Sequence, residues 1–569
     1  MPAALGRRTQ TGGLSPPFRR HRIQPSKRPG GTRRLAGALG AVIILSACQV
    51  SLPAGQIVPV RGGSVSEALV GSAGSLNPLF ELEDNARDID SLIYQGLTTV
   101  DANQDVVPVL AKSWTLSDDR LNYTFEIRPG VKWADGEPFT VADVMFTYQT
   151  LQAPDYTQPG NQFWREIQVQ KVSDTAVKFS LKAPSASFPE ALRQGIIPKH
   201  AFDGVPVATM ASDPHSGPKA IGTGPFRVGS ISHDRKLVTL DRNPHATPQP
   251  YLDHLKFLSY PSLGDAVDAA SRGEADAVGA LQPPQIGALA KRPDLSVLEV
   301  KTFSFAAALF NLSPDLSAYF NPPAVRQALN QAIDRRKIIH DVLEGRAEPD
   351  VGPIPPTDWA YSHAVEDRFP YDPKAAAASL AQAGWTQPLA GSLLQRSGNQ
   401  FSVSLVTADA FPYRQVAESI SAQLRPLGVE IKVQPVPASV LVGRYLVGKE
   451  YQMALAAFDS GSDPDQYSLW HSGAAAGSLN FASPLTPKQA LIDKDLEDGR
   501  AVTDKKARAP VYADFQDLMA DAAPAIFLFE PHYAYIVQKR VHGVRTNPVI
   551  QPVDRFQYVT EWYVNAKGG

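Results

Sequence analysis

Apolar and polar positions alternate with period two in three short runs, Tyr123–Ile127, Val177–Leu181 and Lys236–Leu240. Each run carries β-branched or aromatic residues and predicts a half-buried strand. Elsewhere the spacing lengthens. Between 323 and 343, Val325, Leu329, Ile333, Ile338 and Ile339 recur at helical intervals behind Pro323, which suits a first helical turn, and predict one helix. A second helix is predicted over 372–384, with Asp372 as N-cap, Pro373 at the first helical position and Gly384 just past the end. From 400 to 434 the order is strand (Phe401–Thr407), helix (about 412–426), Gly428 and strand (Val429–Val433). Pro435 is expected to end that last strand, because it cannot donate to a ladder. Such a β-α-β unit implies a parallel pair with a right-handed crossover. Arg128–Trp133 and Asp135-Gly136 read as a hairpin closure leading to Thr140, a natural N-cap with Asp143 in the first helical turn. The fold class expected is α/β with mixed sheets.

Charge changes the picture at the N-terminus. Residues 1–47 hold nine Lys/Arg and no acid, the first being Glu67. Without those nine, 46 basic residues face 57 acidic ones, a net −11. A body so acidic makes a poor nucleic-acid partner, since phosphate contacts need a basic face. Residues 33–48 run from Arg33-Arg34 through about a dozen apolar positions to Leu45-Ser46-Ala47-Cys48. The apolar stretch falls short of the roughly 20 residues that span a hydrocarbon core, and fits a signal-peptide h-region. Its end resembles a bacterial lipobox, which makes Cys48 the expected lipidation site and 1–47 a lipoprotein signal peptide with a basic extension. The 32 residues before Arg33 read either as a long n-region or as the product of an upstream start codon. Residues 48–62 are then a tether, and the body starts near Gly63. Acyl chains on Cys48 would contribute about 0.8 kcal/mol per buried methylene to membrane anchoring. Cys48 is also the single cysteine, so an intramolecular disulfide is excluded.

Enzyme signatures are missing. No two of the eleven His lie closer than nine positions (His245 and His254), and no G-x-S-x-G occurs. Gly443–Lys449 imitates a phosphate loop, but Glu450 stands where a Ser/Thr would hold magnesium. A binding protein without metal or cofactor is expected.

Several segments in order resemble the family 5 extracytoplasmic solute-binding proteins, the oligopeptide/dipeptide/nickel-binding family of ABC importers. They are Ser75–Leu79, Leu92–Leu97, Val107–Trp114, Gly222–Phe226, Arg272–Asp276, Val325–Asp334, Gly352–Pro356 and Ala523–Phe527, with Tyr123–Val144 the strongest. The resemblance covers about 63–569. It implies a two-lobed periplasmic-binding-protein-like fold with a hinge. Lobe I would comprise 63–303 (86–204 as a subdomain) and the return 538–569; lobe II would comprise 304–537. Phe303–Leu312 and Ile526–Val537, both apolar, would be the crossings. It also implies a monomer that captures short peptides and delivers them to an ABC permease and ATPase complex, tethered by lipid to the extracytoplasmic face of the cell membrane. An oligosaccharide, haem or nickel-chelate ligand remains an alternative, as does a surface sensor or adhesin.

Peptide binders of this family place an Asp ahead of an acidic-Pro turn against the peptide ammonium. Phe458–Tyr467 is the counterpart here, but it lacks the usual Trp, and Asp459 lies one position further from Pro464. Asp459 is the first expectation for the ammonium partner and Asp463 the second; both also suit Asx-turns around Gly461 and Pro464. Arg346 could meet a ligand carboxylate or remain a solvated loop residue. Asn77, Tyr94 and Phe481 are expected as cleft walls. Trp133 and the Gly222–Phe226 turn read as structural, the glycines answering a backbone requirement.

Overall fold

A computed structural model describes residues 57–568 apart from 82, 159, 315, 474–478 and 482–487. Cys48, the signal segment and most of the tether lie outside the described residues. No described helix is long and apolar enough to cross a membrane.

One strand organises the fold. Ala525–Gln538 runs for 14 residues and belongs to two halves of a mixed, twelve-stranded sheet. Its first half pairs antiparallel with Ser304–Phe310, and its second half with Leu295–Lys301. The chain therefore crosses between the two halves along neighbouring strands. On one side the order continues through Met453–Asp459 and Ser402–Ala408 to Glu430–Val436. On the other it continues through Ala277–Val278, Ser64–Val70, His254–Tyr260 and Leu237–Arg242 to Phe226–Ile231. Every residue of Ser304–Phe310 is buried, which explains its unbroken apolar run.

Each half has its own core. Val65, Phe257, Tyr535 and Trp562 share one, so the C-terminal segment returns to the half that begins the chain. Phe310, Leu329, Leu405 and Ile526 share another, with Phe305, Trp470 and Phe527 on the opposite sheet face. The molecule is an α/β protein with two lobes. A four-stranded antiparallel sheet, which includes Asn122–Ile127 and Ala176–Ser180, is appended to the first lobe.

The predicted elements meet the structure with two corrections. The 323–343 helix is two helices, Pro323–Gln331 and Arg335–Leu343. Asp334 caps the second by accepting from the Lys337 N–H at 2.9 Å, so a cap interrupts an apolar rhythm that runs through it. Pro435 does not end its strand: Glu430–Val436 continues past it, opposite Thr407. That strand is the sheet edge, where a missing N–H faces outward at no cost. The expected parallel pair with Ser402–Ala408 is present. Thr140 and Asp143 form a reciprocal capping box at Val141–Gln152. Asp372 caps Pro373–Gln382 through the Lys374 and Ala375 N–H groups.

Candidate functional site

Helix Asp84–Ile93 carries more acid than its position warrants. Ala86, Ile89, Leu92 and Ile93 pack inward as helical spacing requires, yet Asp88 and Asp90 are buried with them. Asp88 has a partner. Arg555, from the returning C-terminal segment, is 2% exposed and binds both Asp88 oxygens (2.9 and 2.5 Å) and Glu67 Oε1 (2.9 and 2.5 Å). Tyr535 adds an O–H donated to Glu67 Oε2 at 3.0 Å. Burial pushes both carboxyls up and Arg555 opposes the push. This triad pins the helix to the sheet and to the C-terminal segment.

Asp90 has no cation. Both of its oxygens are buried without a conventional donor, and its neighbour is the carboxyl of Glu81. Two neighbouring buried carboxyls cannot both be charged at low cost, so the protonated form of the pair is favoured. Burial, then Glu81, drives Asp90 far above the usual carboxylate range; burial lifts Glu81 to about 7. Arg87 moderates Glu81 at 3.3 Å and also binds Asp84 at 2.7 Å.

This cluster faces a cavity of about 410 Å³, lined also by Tyr94, Glu190, Arg193 and Gly195. A second cavity of about 430 Å³ adjoins it across Ser91, Tyr94 and Arg193, and is largely apolar, with Val109, Phe303, Val553 and Phe556 among its walls. Every residue lining the first cavity belongs to lobe I, and lobe II touches one of them: the Ser462 N–H donates to Glu190 Oε1 at 3.3 Å. Further contacts join the lobes alongside: Ser187 Oγ to Asp465 (2.7 Å), Gln104 Nε2 to the Thr357 carbonyl (3.0 Å) and Lys505 to Asp105 (2.7 Å).

Asp459 closes the strand Met453–Asp459, opposite Ser304 on the crossing strand, whose Oγ donates to Asp459 Oδ1 at 2.8 Å. The residue stays open to water, but surrounding protein crowds it enough for burial to raise its carboxyl. The charges it senses across the gap are Asp84 and Arg87 of lobe I. Nothing among the described residues hydrogen-bonds Oδ2.

The other expected site residues fall elsewhere. Asp463 is spent inside lobe II, both oxygens held by Arg508 at 2.7 and 2.6 Å. Asn77 is fully buried: its Nδ2 donates to Ser216 Oγ (2.8 Å) and its Oδ1 accepts from the Leu79 N–H (3.0 Å), an Asx-turn rather than a cleft wall. Phe481 packs against Phe458 and Trp470 in the lobe II core, 3% exposed. Arg346 is ion-paired with Glu299. Tyr94 alone of these five lines the two cavities, while its O–H donates to the Leu76 carbonyl at 3.3 Å. The phosphate-loop mimic coils as the helical segment Leu441–Val447, and Arg444 binds Glu450 at 2.6 Å. Glu81, Arg87, Asp90 and Glu190 escaped the sequence reading. The run of acids at 81, 84, 88 and 90 was the available signal, because two of them occupy the apolar stripe of an amphipathic helix.

Two lobes joined by adjacent crossing strands, with a charged and an apolar cavity side by side in the first lobe, are the architecture of a solute-binding protein. The profile of bacterial extracellular solute-binding proteins, family 5 Middle, matches residues 105–480, and the chain belongs to that family. It is 28% identical over 518 residues to the oligopeptide-binding protein AppA of Bacillus subtilis (strain 168), covering 89% of this chain and 94% of the relative. The structure of that protein in complex with a nonapeptide superposes with a TM-score of 0.73 at 27% identity, covering 89% of this chain and all of the other. The binding protein DppA from Helicobacter pylori, in complex with the peptide STSA, gives a TM-score of 0.70 at 25% identity, covering 89% and 98%. Heme-binding protein A of Haemophilus influenzae is 28% identical over 454 residues, covering 74% of this chain and 78% of the relative.

Proposed function

We propose that this protein is the lipid-anchored extracytoplasmic receptor of an ABC importer and that it encloses short peptides between its lobes. The observation that carries the reading is Asp459, a carboxylate fixed by Ser304 at the end of a central strand, with one oxygen open and the other lobe opposite. A peptide ammonium would bind Oδ2 in a charge-assisted hydrogen bond. The oligopeptide and STSA complexes of the relatives support a peptide ligand. Cys48 carries the anchor in this reading, and an ABC permease with its ATPase receives the ligand.

Mass spectrometry of the intact protein purified from rich medium reads the ligand directly: co-purified masses in the peptide range support the proposal. Asp459→Ala then loses peptide affinity in calorimetry while melting like the parent. Equal affinity removes Asp459 from the site. A co-purified haem, the ligand named in the Haemophilus influenzae relative, overturns the peptide reading. For the anchor, Cys48→Ala frees the protein from membranes and abolishes labelling by radioactive palmitate; retention of both overturns it.

A further inference from the structure

The cavity beside helix Asp84–Ile93 carries unequal charges. Its guanidinium groups are already engaged: Arg87 by Asp84 and Glu81, Arg193 by Asp554. Its carboxyls are not matched in the same way. Asp90, 2% exposed, has no cation and no donor apart from the neighbouring Glu81 carboxyl, while Glu190 is met by Ser462 of the opposite lobe and by the charge of Arg193, itself shared with Asp554. A buried carboxyl pair in which one member lacks a cation costs several kcal/mol to ionise fully, a cost that a cationic guest would repay. The guest space beside it is about 410 Å³, and Ser91 and Tyr94 also line the adjoining apolar cavity.

We infer that this cavity is a subsite for the cationic end of a basic ligand side chain, an ammonium or guanidinium group received by Asp90, Glu81 and Glu190. The inference rests on the peptide reading above and narrows it: the preferred peptides contain Lys or Arg, with the aliphatic stem of that residue lying along the apolar neighbour cavity. Asp459, which senses Arg87 of the same helix, takes the main-chain ammonium. The groups facing Asp90 are Glu81, Arg87 and Tyr94 from its own segment, Glu190 and Arg193 from the adjoining turn, and Asp554 behind Arg193. A cation placed among them favours the charged form of Asp90. Its uptake near pH 7 therefore releases a proton from the Glu81–Asp90 pair.

The test is calorimetry on the full chain at pH 7, with alanine tripeptides carrying Lys, Arg, norleucine or Glu at each position in turn. Charge-assisted hydrogen bonds of about 1.5–3 kcal/mol predict that the best basic peptide binds about tenfold or more tighter than its norleucine counterpart. Asp90→Asn and Glu190→Gln, assayed separately so that one misfolded variant does not decide the matter, each lower the affinity for basic peptides by a larger factor than that for norleucine peptides, and so erode the preference. The heat of basic-peptide binding varies with buffer ionisation enthalpy, and that of the norleucine peptide does not. Equal affinities for basic and norleucine peptides, or tighter binding of the Glu peptide, overturn the subsite and leave peptide binding standing. If no peptide binds, agmatine is the probe. A thermal stabilisation by agmatine that Asp90→Asn removes upholds the subsite against the peptide reading, and no stabilisation overturns both.

Discussion

Arg508 grips both carboxylate oxygens of Asp463, and only 3% of the arginine side chain is exposed. The pair ties the 460–467 loop to helix Lys505–Ala522, with Tyr512 hydrogen-bonded to Arg508 at 3.0 Å. Asp463 and Asp459 sit four positions apart and face opposite duties: one holds the loop, the other is left open.

Cutting the Arg508–Asp463 pair from one side strands a buried charge. Arg508→Met is expected to destabilise lobe II by about 3–5 kcal/mol, the usual range for an uncompensated buried ion. Urea unfolding measures the loss. Peptide affinity of the folded fraction stays within about threefold, because the pair does not touch the ligand; a tenfold loss, about 1.4 kcal/mol, reassigns Asp463 to the site.

Arg555→Met leaves two buried carboxyls, Glu67 and Asp88, without their cation. The protein then retains those carboxyls only as neutral acids, so the variant melts far below the parent at pH 8 and recovers part of the difference at pH 5. A melting difference that ignores pH contradicts the charge-stranding account.

Gly222→Ala tests the Gly222–Phe226 turn. A Cβ on Gly222 would stand 1.8 Å from the Ile93 carbonyl oxygen, and one on Gly224 2.5 Å from that of Leu92. Gly224 also donates its N–H to Ile93 at 2.7 Å. The turn caps the end of the cavity helix by close backbone approach, so Gly222→Ala lowers both melting temperature and ligand affinity. A stable variant with normal affinity refutes this.

Glu81 gives stability a pH slope of known sign. Its carboxyl titrates near 7 in the fold against about 4.5 when unfolded. The folded state thus binds more protons between those values, and its contribution to stability is present below pH 4.5 and lost as pH rises through 7. Glu81→Gln flattens that segment of the stability–pH profile in chemical denaturation, and an unchanged slope places the titration elsewhere.

What the sequence by itself determined is local or ordered along the chain. The period-two runs became strands, Thr140 and Asp372 became caps, and the β-α-β stretch became a parallel pair, because periodicity and capping act within a few residues. The same logic misled at 323–343, where Asp334 was free to cap, and at Pro435, whose edge position no local pattern reveals. Tertiary structure alone decided which charges were spent. Asp463 met Arg508 across 45 positions, Glu67 met Arg555 across 488, and Asp90 met no cation at all. A carboxylate reads the same in sequence whether it is paired, buried or open, since its chemistry is set by the groups that folding brings within hydrogen-bond reach.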